Sequence, residues 1–199
     1  MLHRVASRVS MRSRERKLQL FLELIQPGPE TTVVDVGVTD APFGGGSTDN
    51  FFEALYPWPE RITGVGHTEL DRFAAAFPRV RAVRADGRDL PFGDAEFDVG
   101  FSNAVIEHVA GGRVEQRRFV HELCRVARRV FVTTPNRRFP IEVHTLLPLV
   151  HWLPQGPRER LLPFDDVLDP LSSKELAALF PYSVQVINTG MTLIAIGPA

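Results

Sequence analysis

Residues 84–109 read RADGRDLPFGDAEFDVGFSNAVIEHV. The stretch opens on the tail of a short alternating run, Val80 to Ala85, which predicts a strand. Asp86-Gly87 stops that run as a turn pair. Phe97 to Phe101 (FDVGF) is again a short apolar segment and predicts the next strand, with Ser102 and Asn103 at its end. Upstream, Thr31 to Val38 (TTVVDVGV) is a β-branched run that predicts a buried strand, and Arg61 to Val65 (RITGV) a further one. Between these lie Gly44-Gly45-Gly46, read as a surface loop, and FFEALY after Asp49-Asn50, read as a short helix. Thr68 is placed to N-cap a helix running through Ala76.

Downstream the alternation continues. Arg113 to Arg128 predicts a helix whose buried stripe is Phe119, Val120, Leu123 and Val126, with Arg125, Arg128 and Arg129 as its cationic last turn. Cys124 lies beside that stripe and reads as a small buried residue. Val130 to Thr134 (VFVTT) predicts a fifth strand stopped by Pro135. Ser172 and Glu175 have the spacing of a capping box for a helix through Phe180. Ser183 to Asn188 and Thr192 to Ile196, around Thr189-Gly190-Met191, predict a terminal hairpin. At the other end, residues 12–25 predict a helix with Leu18, Phe21, Leu22 and Ile25 on one stripe, ended by Pro27-Gly28-Pro29. Strands and helices alternating five times predict an α/β fold: a mainly parallel sheet with helices on both faces and an antiparallel strand from the hairpin.

Composition narrows the class. The chain has 199 residues, 44% hydrophobic and 24% charged, which are globular values for one domain. A net charge of −1 argues against a nucleic-acid partner, and the arginines of residues 1–17 read as a solvated helix face. The single cysteine excludes an internal disulfide framework and suggests a reducing, cytoplasmic setting. The first residues lack the apolar core of a secretory signal, and no run has the length of a membrane span.

The 84–109 segment resembles the middle of the class I S-adenosylmethionine-dependent methyltransferases, of the methyltransferase type 11 kind. In those proteins an Asp ends the third strand, Leu-Pro-Phe follows, Phe-Asp opens the fourth strand and Glu-His-Val starts the next helix. Asp86, Leu90-Pro91-Phe92, Phe97-Asp98 and Glu107-His108-Val109 stand in that register. VVDVGV (33–38) falls at the family's first-strand motif, and VFVTTPN (130–136) resembles its fifth strand. The resemblance implies a Rossmann-like sheet that binds S-adenosylmethionine and releases S-adenosylhomocysteine. It implies transfer of a methyl group to an oxygen or nitrogen of a small, lipid-linked or sugar-linked acceptor. By the same resemblance, Asp35 and Gly37 approach the cofactor's amino-acid tail, Asp86 and Gly87 meet the adenine, Leu90 and Phe92 wall it, and Ser102 and Asn103 reach the tail or the acceptor. His108 and His144 are candidate proton acceptors.

Three positions depart from the pattern. Thr39 and Ala41 replace loop glycines, so the loop takes another path or holds the cofactor less tightly. Gly66 stands where an acid usually binds the ribose diol, leaving His67 or Glu69 as substitutes. These departures motivate an alternative: a methyltransferase-fold protein acting as a binding or regulatory partner without catalysis. A dinucleotide oxidoreductase is disfavoured because residues 35–41 lack G-x-G-x-x-G. Glu107, His108 and His144 could form a metal set, but the reading preferred is a signature without metal. The whole chain, 1–199, is expected to be one domain, with residues 1–28 an N-terminal helical arm. Residues 137–170, apolar and Pro-rich with His144, His151 and Trp152, are expected to form a lid over the acceptor. With the arginines near the N-terminus, that segment also allows peripheral membrane contact.

Overall fold

The β-branched run after Pro29 forms β1 (Val33–Val36), buried at every position. Such continuous burial is what a strand covered by helices on both sides requires. In the computed structural model, which describes residues 2–43, 49–140 and 169–198, β1 is one of seven strands. The others are β2 (Ile62–Gly66), β3 (Arg81–Arg84), β4 (Phe97–Asn103), β5 (Ala127–Pro135), β6 (Gln185–Asn188) and β7 (Thr192–Gly197). They form one sheet in the order β3-β2-β1-β4-β5-β7-β6. The five strands from β3 to β5 pair in parallel, and β7 runs antiparallel to both β5 and β6. The α/β class and the terminal hairpin therefore stand as expected.

Among the described residues five helices flank the sheet: α1 (Leu2–Ile25), α2 (Phe51–Leu55), α3 (Asp71–Ala76), α4 (Gly112–Val126) and α5 (Ser173–Ala177). Strand side chains alternate between two apolar layers, as the pleat dictates. Val130 and Val132 pack with Leu123 of α4 and Leu176 of α5. Phe131 points the other way, with Phe101, Phe21 of α1, Phe52 of α2 and Phe73 of α3. Among the described residues no helix is long and apolar enough to cross a membrane.

The stripe expected on α1 is the buried one. Phe21 is fully buried and meets Phe52, Phe101, Phe131 and Tyr56 edge-on, with centroids 5.1, 5.5, 5.4 and 6.0 Å away. Edge-to-face pairs of this kind add to area burial. Helix α1 begins well before residue 12, at Leu2. Its C-terminal carbonyls are met by Arg129, whose guanidinium donates to the oxygens of Ile25 and Leu24 at 3.1 and 3.2 Å. A cation there answers both the orphan acceptors and the negative end of the helix.

Four local expectations are corrected. Arg128 and Arg129 belong to β5, not to a helical last turn, because the chain passes from α4 straight into the strand at Ala127. Glu107-His108 lies on a 3-10 turn (Ile106–His108), and α4 starts later, behind Gly111 at φ 96°. Thr68 does not cap α3. That role falls to Asp40 of the loop after β1, whose Oδ1 accepts from the backbone N–H groups of Arg72 and Phe73 at 2.7 and 2.9 Å. Cys124 is only partly buried, and accepts a hydrogen bond from the Tyr182 hydroxyl at 3.1 Å. The capping box of Ser172 and Glu175 is present in both directions.

Because Phe21 bridges α1 to α2 and two strands, Phe21→Ala is expected to cost about 3–5 kcal/mol in urea unfolding, and Phe21→Leu less than half of that.

Candidate functional site

From β1 the chain moves outward to β2 and β3, then returns to β4 on the other side of β1. The carboxyl ends of β1 and β4 therefore form the switch point, where open α/β sheets bind their ligands. Asp35 stands there in β1, buried, and faces Glu53 of α2, also buried. Burial first, and then the facing Glu53, push Asp35 well above the carboxylate range; burial likewise raises Glu53. Glu53 hydrogen-bonds the Asp35 carboxyl and meets no N–H or hydroxyl donor among the described residues. Two like charges cannot both ionise in such a place, so the pair retains a proton.

The loop after β1 is tied down. Gly37 and Val38 both donate backbone N–H groups to the Val65 carbonyl, at 2.8 and 3.1 Å. Asn50 closes the turn from the far side. Its Oδ1 accepts from the Thr39 N–H at 3.0 Å, and its Nδ2 donates to the carbonyls of Thr39 and Ala41 at 2.9 and 2.6 Å. Gly37 sits at φ 122°, and a Cβ there would come within 2.1 Å of Val105 Cγ2. The group that approaches Gly37 is thus the Val105 side chain, not open space for a ligand.

The missing ribose acid has a steric explanation. A Cβ at Gly66 would lie 2.6 Å from the Val38 carbonyl oxygen and 2.9 Å from Leu70. The altered loop passes over position 66 and excludes any side chain. His67 and Glu69 are exposed beyond it, and Glu69 is engaged in a surface ion pair with Arg84. Asp86 is held by Arg88 through its side chain and backbone N–H, which lowers the carboxyl to about 2. Gly87 lies under Phe119, whose ring a Cβ would meet at 2.5 Å. Leu90 and Phe92, expected as adenine walls, are buried in the core layer with Val34 and Val120.

The carboxyl ends of β4 and β5 carry a buried polar cluster. Ser102 is fully buried and donates to the Val36 carbonyl at 2.8 Å, stitching β4 to β1. Asn103 Oδ1 accepts from Thr133 Oγ1 at 2.8 Å and from Lys17 Nζ at 2.9 Å. Glu107 is fully buried; Thr134 Oγ1 donates to its Oε2 at 3.0 Å, while Oε1 meets no donor among the described residues. Burial raises Glu107 to about 7, with Thr134 and Lys17 opposing. Burial lowers Lys17 to about 8, with Arg14 adding to the shift and Glu107 opposing it. His108 stands on the 3-10 turn, and its backbone N–H donates to Val105. His144, and with it most of the expected 137–170 lid, lies outside the described residues. Among the described residues no three His, Cys, Asp or Glu are grouped to hold a metal ion.

The candidate site residues that sequence reasoning missed are Lys17, Glu53 and Arg14. For the two on α1 the signal was periodic: Arg14, Lys17, Phe21 and Ile25 follow helical spacing on the stripe of Leu18. Arg14 is not a solvated residue as expected; its guanidinium lies 6.0 Å from the centre of the Phe51 ring.

Residues 39–130 match the family model of the methyltransferase domain. The seven-stranded sheet has the class I methyltransferase fold. Two relatives, each a "probable S-adenosylmethionine-dependent methyltransferase" of Mycobacterium tuberculosis (strains CDC 1551 / Oshkosh and ATCC 25618 / H37Rv), are 38% identical over 78 residues, which is 38% of this chain. The match spans about a quarter (25%) of the length of those curated relatives. Among solved structures, the PH0226 protein of Pyrococcus horikoshii superposes with a TM-score of 0.64 at 16% identity, over 94% of this chain and 89% of that one. The 1,6-didemethyltoxoflavin-N1-methyltransferase of Burkholderia thailandensis, solved with 1,6-didemethyltoxoflavin and S-adenosylhomocysteine, gives 0.56 at 17% identity over 92% and 75%. At such identities these two share the fold with this chain, and the likeness extends no further.

The position of Glu107 sets a pH dependence. A carboxyl near 7 when folded, and near its ordinary 4.5 when unfolded, binds its proton more tightly in the folded state. Its contribution to stability is therefore lost as pH rises from about 4.5 to about 7, and stays lost above. Glu107→Gln, which keeps an acceptor for Thr134, is expected to match wild type near pH 5. By about pH 8 it should be the more stable protein, by on the order of 2 kcal/mol. Urea unfolding at the two pH values measures the difference.

Proposed function

We propose that this chain is an S-adenosylmethionine-dependent methyltransferase acting on an oxygen or nitrogen of a small-molecule acceptor. The observation that carries the reading is the Asp35–Glu53 pair at the switch point. It consists of buried carboxyls, and among the described residues Glu53 has no hydrogen-bond partner but the Asp35 carboxyl. A ligand bringing an ammonium and a sulfonium supplies the missing donors and the opposite charge, so the residues present fit this cofactor. When bound, it supplies a methyl group on a positively charged sulfur.

The chain's own residues do the rest. Asp35 and Glu53 bind the cationic amino-acid tail and give up their shared proton on doing so. Asp86, Gly87 and the backbone beside them take the adenine end. With position 66 closed to side chains, the ribose is left to the exposed His67 and to Glu69 once Glu69 is released from Arg84. Ser102 fixes the spacing of β1 and β4, and Asn103 marks the reacting end of the cleft. Transfer is an in-line displacement, so positioning carries much of the acceleration. His108 and His144 are offered as proton acceptors for an acceptor hydroxyl or amine. Lipid-linked or sugar-linked acceptors and membrane contact were expected from residues 137–170; only residues 137–140 and 169–170 of that segment are described, and nothing in them argues for these.

Calorimetric titration with S-adenosylhomocysteine and S-adenosylmethionine tests the proposal. A micromolar or tighter constant, about −8 kcal/mol or better, is the expected result; no heat at millimolar ligand would favour the non-catalytic alternative. Glu53→Gln separates binding from folding. Its amide gives the Asp35 carboxylate a permanent donor, so the melting temperature is expected to rise while affinity for S-adenosylhomocysteine falls at least tenfold. A variant that melts higher and binds equally well would remove Glu53 from the cofactor site.

A further inference from the structure

Helix α1 brings an ammonium to the carboxyl ends of β4 and β5. Lys17 Nζ donates to Asn103 Oδ1 at 2.9 Å, the oxygen that Thr133 Oγ1 also reaches. An ammonium has three N–H donors, and among the described residues Lys17 makes this one hydrogen bond. Glu107 attracts it through space, and among the described residues no ion pair joins the two. Glu107 Oε1, fully buried, also meets no donor among the described residues.

We propose that Lys17 seats the acceptor, and that the acceptor is an oxygen acid (a phenol, an enol or a carboxylic acid) bound as its anion against Nζ. The proposal rests on the methyl-transfer reading above and specifies its substrate class. The charges facing this place favour an anion. Arg14 lies one turn away on the same helix, and the acids at the switch point, Asp35 and Glu53, are matched to the cofactor's own cations. Glu107, raised by burial, offers little negative charge below about pH 7. A charge-assisted bond from an ammonium to an oxyanion is short and strong. The acceptor oxygen's lone pair forms the O–CH3 bond as the S–CH3 bond breaks, and that bond's electron pair stays on sulfur. Oxyanion and sulfonium charges cancel, giving a neutral ether or ester and a neutral thioether. No proton moves in the step, and no base is needed. The neutral product loses its hold on Lys17, which favours release.

The test uses salicylate and 4-nitrophenol as probes, with methyl 2-methoxybenzoate and 4-nitroanisole as their neutral counterparts. Each is titrated by ligand-observed NMR into wild type, Lys17→Arg and Lys17→Met, with and without S-adenosylhomocysteine. Both acids are expected to bind wild type and the neutral compounds not to. Lys17→Met should weaken the acids at least tenfold, and Lys17→Arg less than threefold. Salicylate is anionic throughout, so its affinity for wild type should fall as pH rises past about 8, where Lys17 loses its proton. Glu107 on its turn titrates lower, Arg14 stays charged, and Asn103, Thr133 and Thr134 do not titrate, so this fall should vanish in Lys17→Arg. A merely structural Lys17 would not move that pH profile.

The proposal is overturned if neither acid binds wild type in either state, if Lys17→Met binds them equally, or if the neutral counterparts bind as well. Loss of S-adenosylhomocysteine affinity in Lys17→Met with probe binding unchanged would assign Lys17 to the cofactor instead. If S-adenosylhomocysteine fails to bind wild type, the methyl-transfer reading falls, and the titrations without it still judge the anion site. Thermal melts of both variants confirm folding.

Discussion

The docking of α1 on the sheet is the contact on which the site depends. Phe21 enters a pocket of four rings drawn from α2, β4 and β5, and Arg129 takes hold of the helix's last carbonyls. Those two attachments fix the helix antiparallel to β4 and β5, with Ile25 near the start of β5 and Lys17 beside the end of β4. One turn of helix separates Phe21 from Lys17, so the apolar anchor and the ammonium move together. A helix that would otherwise be a peripheral arm becomes a wall of the cleft.

Around β1 and β2 the two departures from the family pattern prove to be one adjustment. The loop after β1 carries Thr39 in place of a glycine, and Asn50 binds it on both sides of the peptide. Its path brings the Val38 carbonyl over β2, close enough that position 66 admits no Cβ. A longer, clamped loop and a glycine at the ribose position therefore arise together. Asp40 in the same loop caps α3, so the loop also sets where the next helix begins. Changes that look like decay when read one position at a time are consistent when read as a packed unit.

Much of this was legible in the sequence. The strands announced themselves as β-branched runs between turn residues, and Asp86, Leu90-Pro91-Phe92 and Phe97-Asp98 stand where the family register put them. Helix ends were harder. Nothing local shows that Thr68 yields its cap to Asp40, thirty residues upstream, or that Arg128 and Arg129 are strand residues. Both outcomes are set by tertiary contacts. Leu90 was assigned to the adenine and lies in the core, because a Leu-Pro-Phe motif does not reveal which way its first residue turns. Lys17 and Glu53 were missed for another reason. A lysine and a glutamate within amphipathic helices read as solvent-facing until the register of the helix on the sheet is known.

The buried charges explain what the fold gives up for its chemistry. Asp35, Glu53 and Glu107 are raised and Lys17 is lowered, each because burial disfavours its charged form. Each shift records a cost that the folded state carries at some pH. A chain selected for stability alone would replace these groups with apolar side chains that pack as well. Here they stand on both sides of the switch point, acids by β1 and α2, the ammonium by β4 and β5. That separation is the electrostatic shape of a reaction in which a cation meets an anion. In the proposed reaction the acid pair holds the positive partner from behind, and the ammonium draws the negative partner from in front. A preorganised field of this kind does not have to reorganise as the charges cancel, which is why its cost is tolerated in the resting protein.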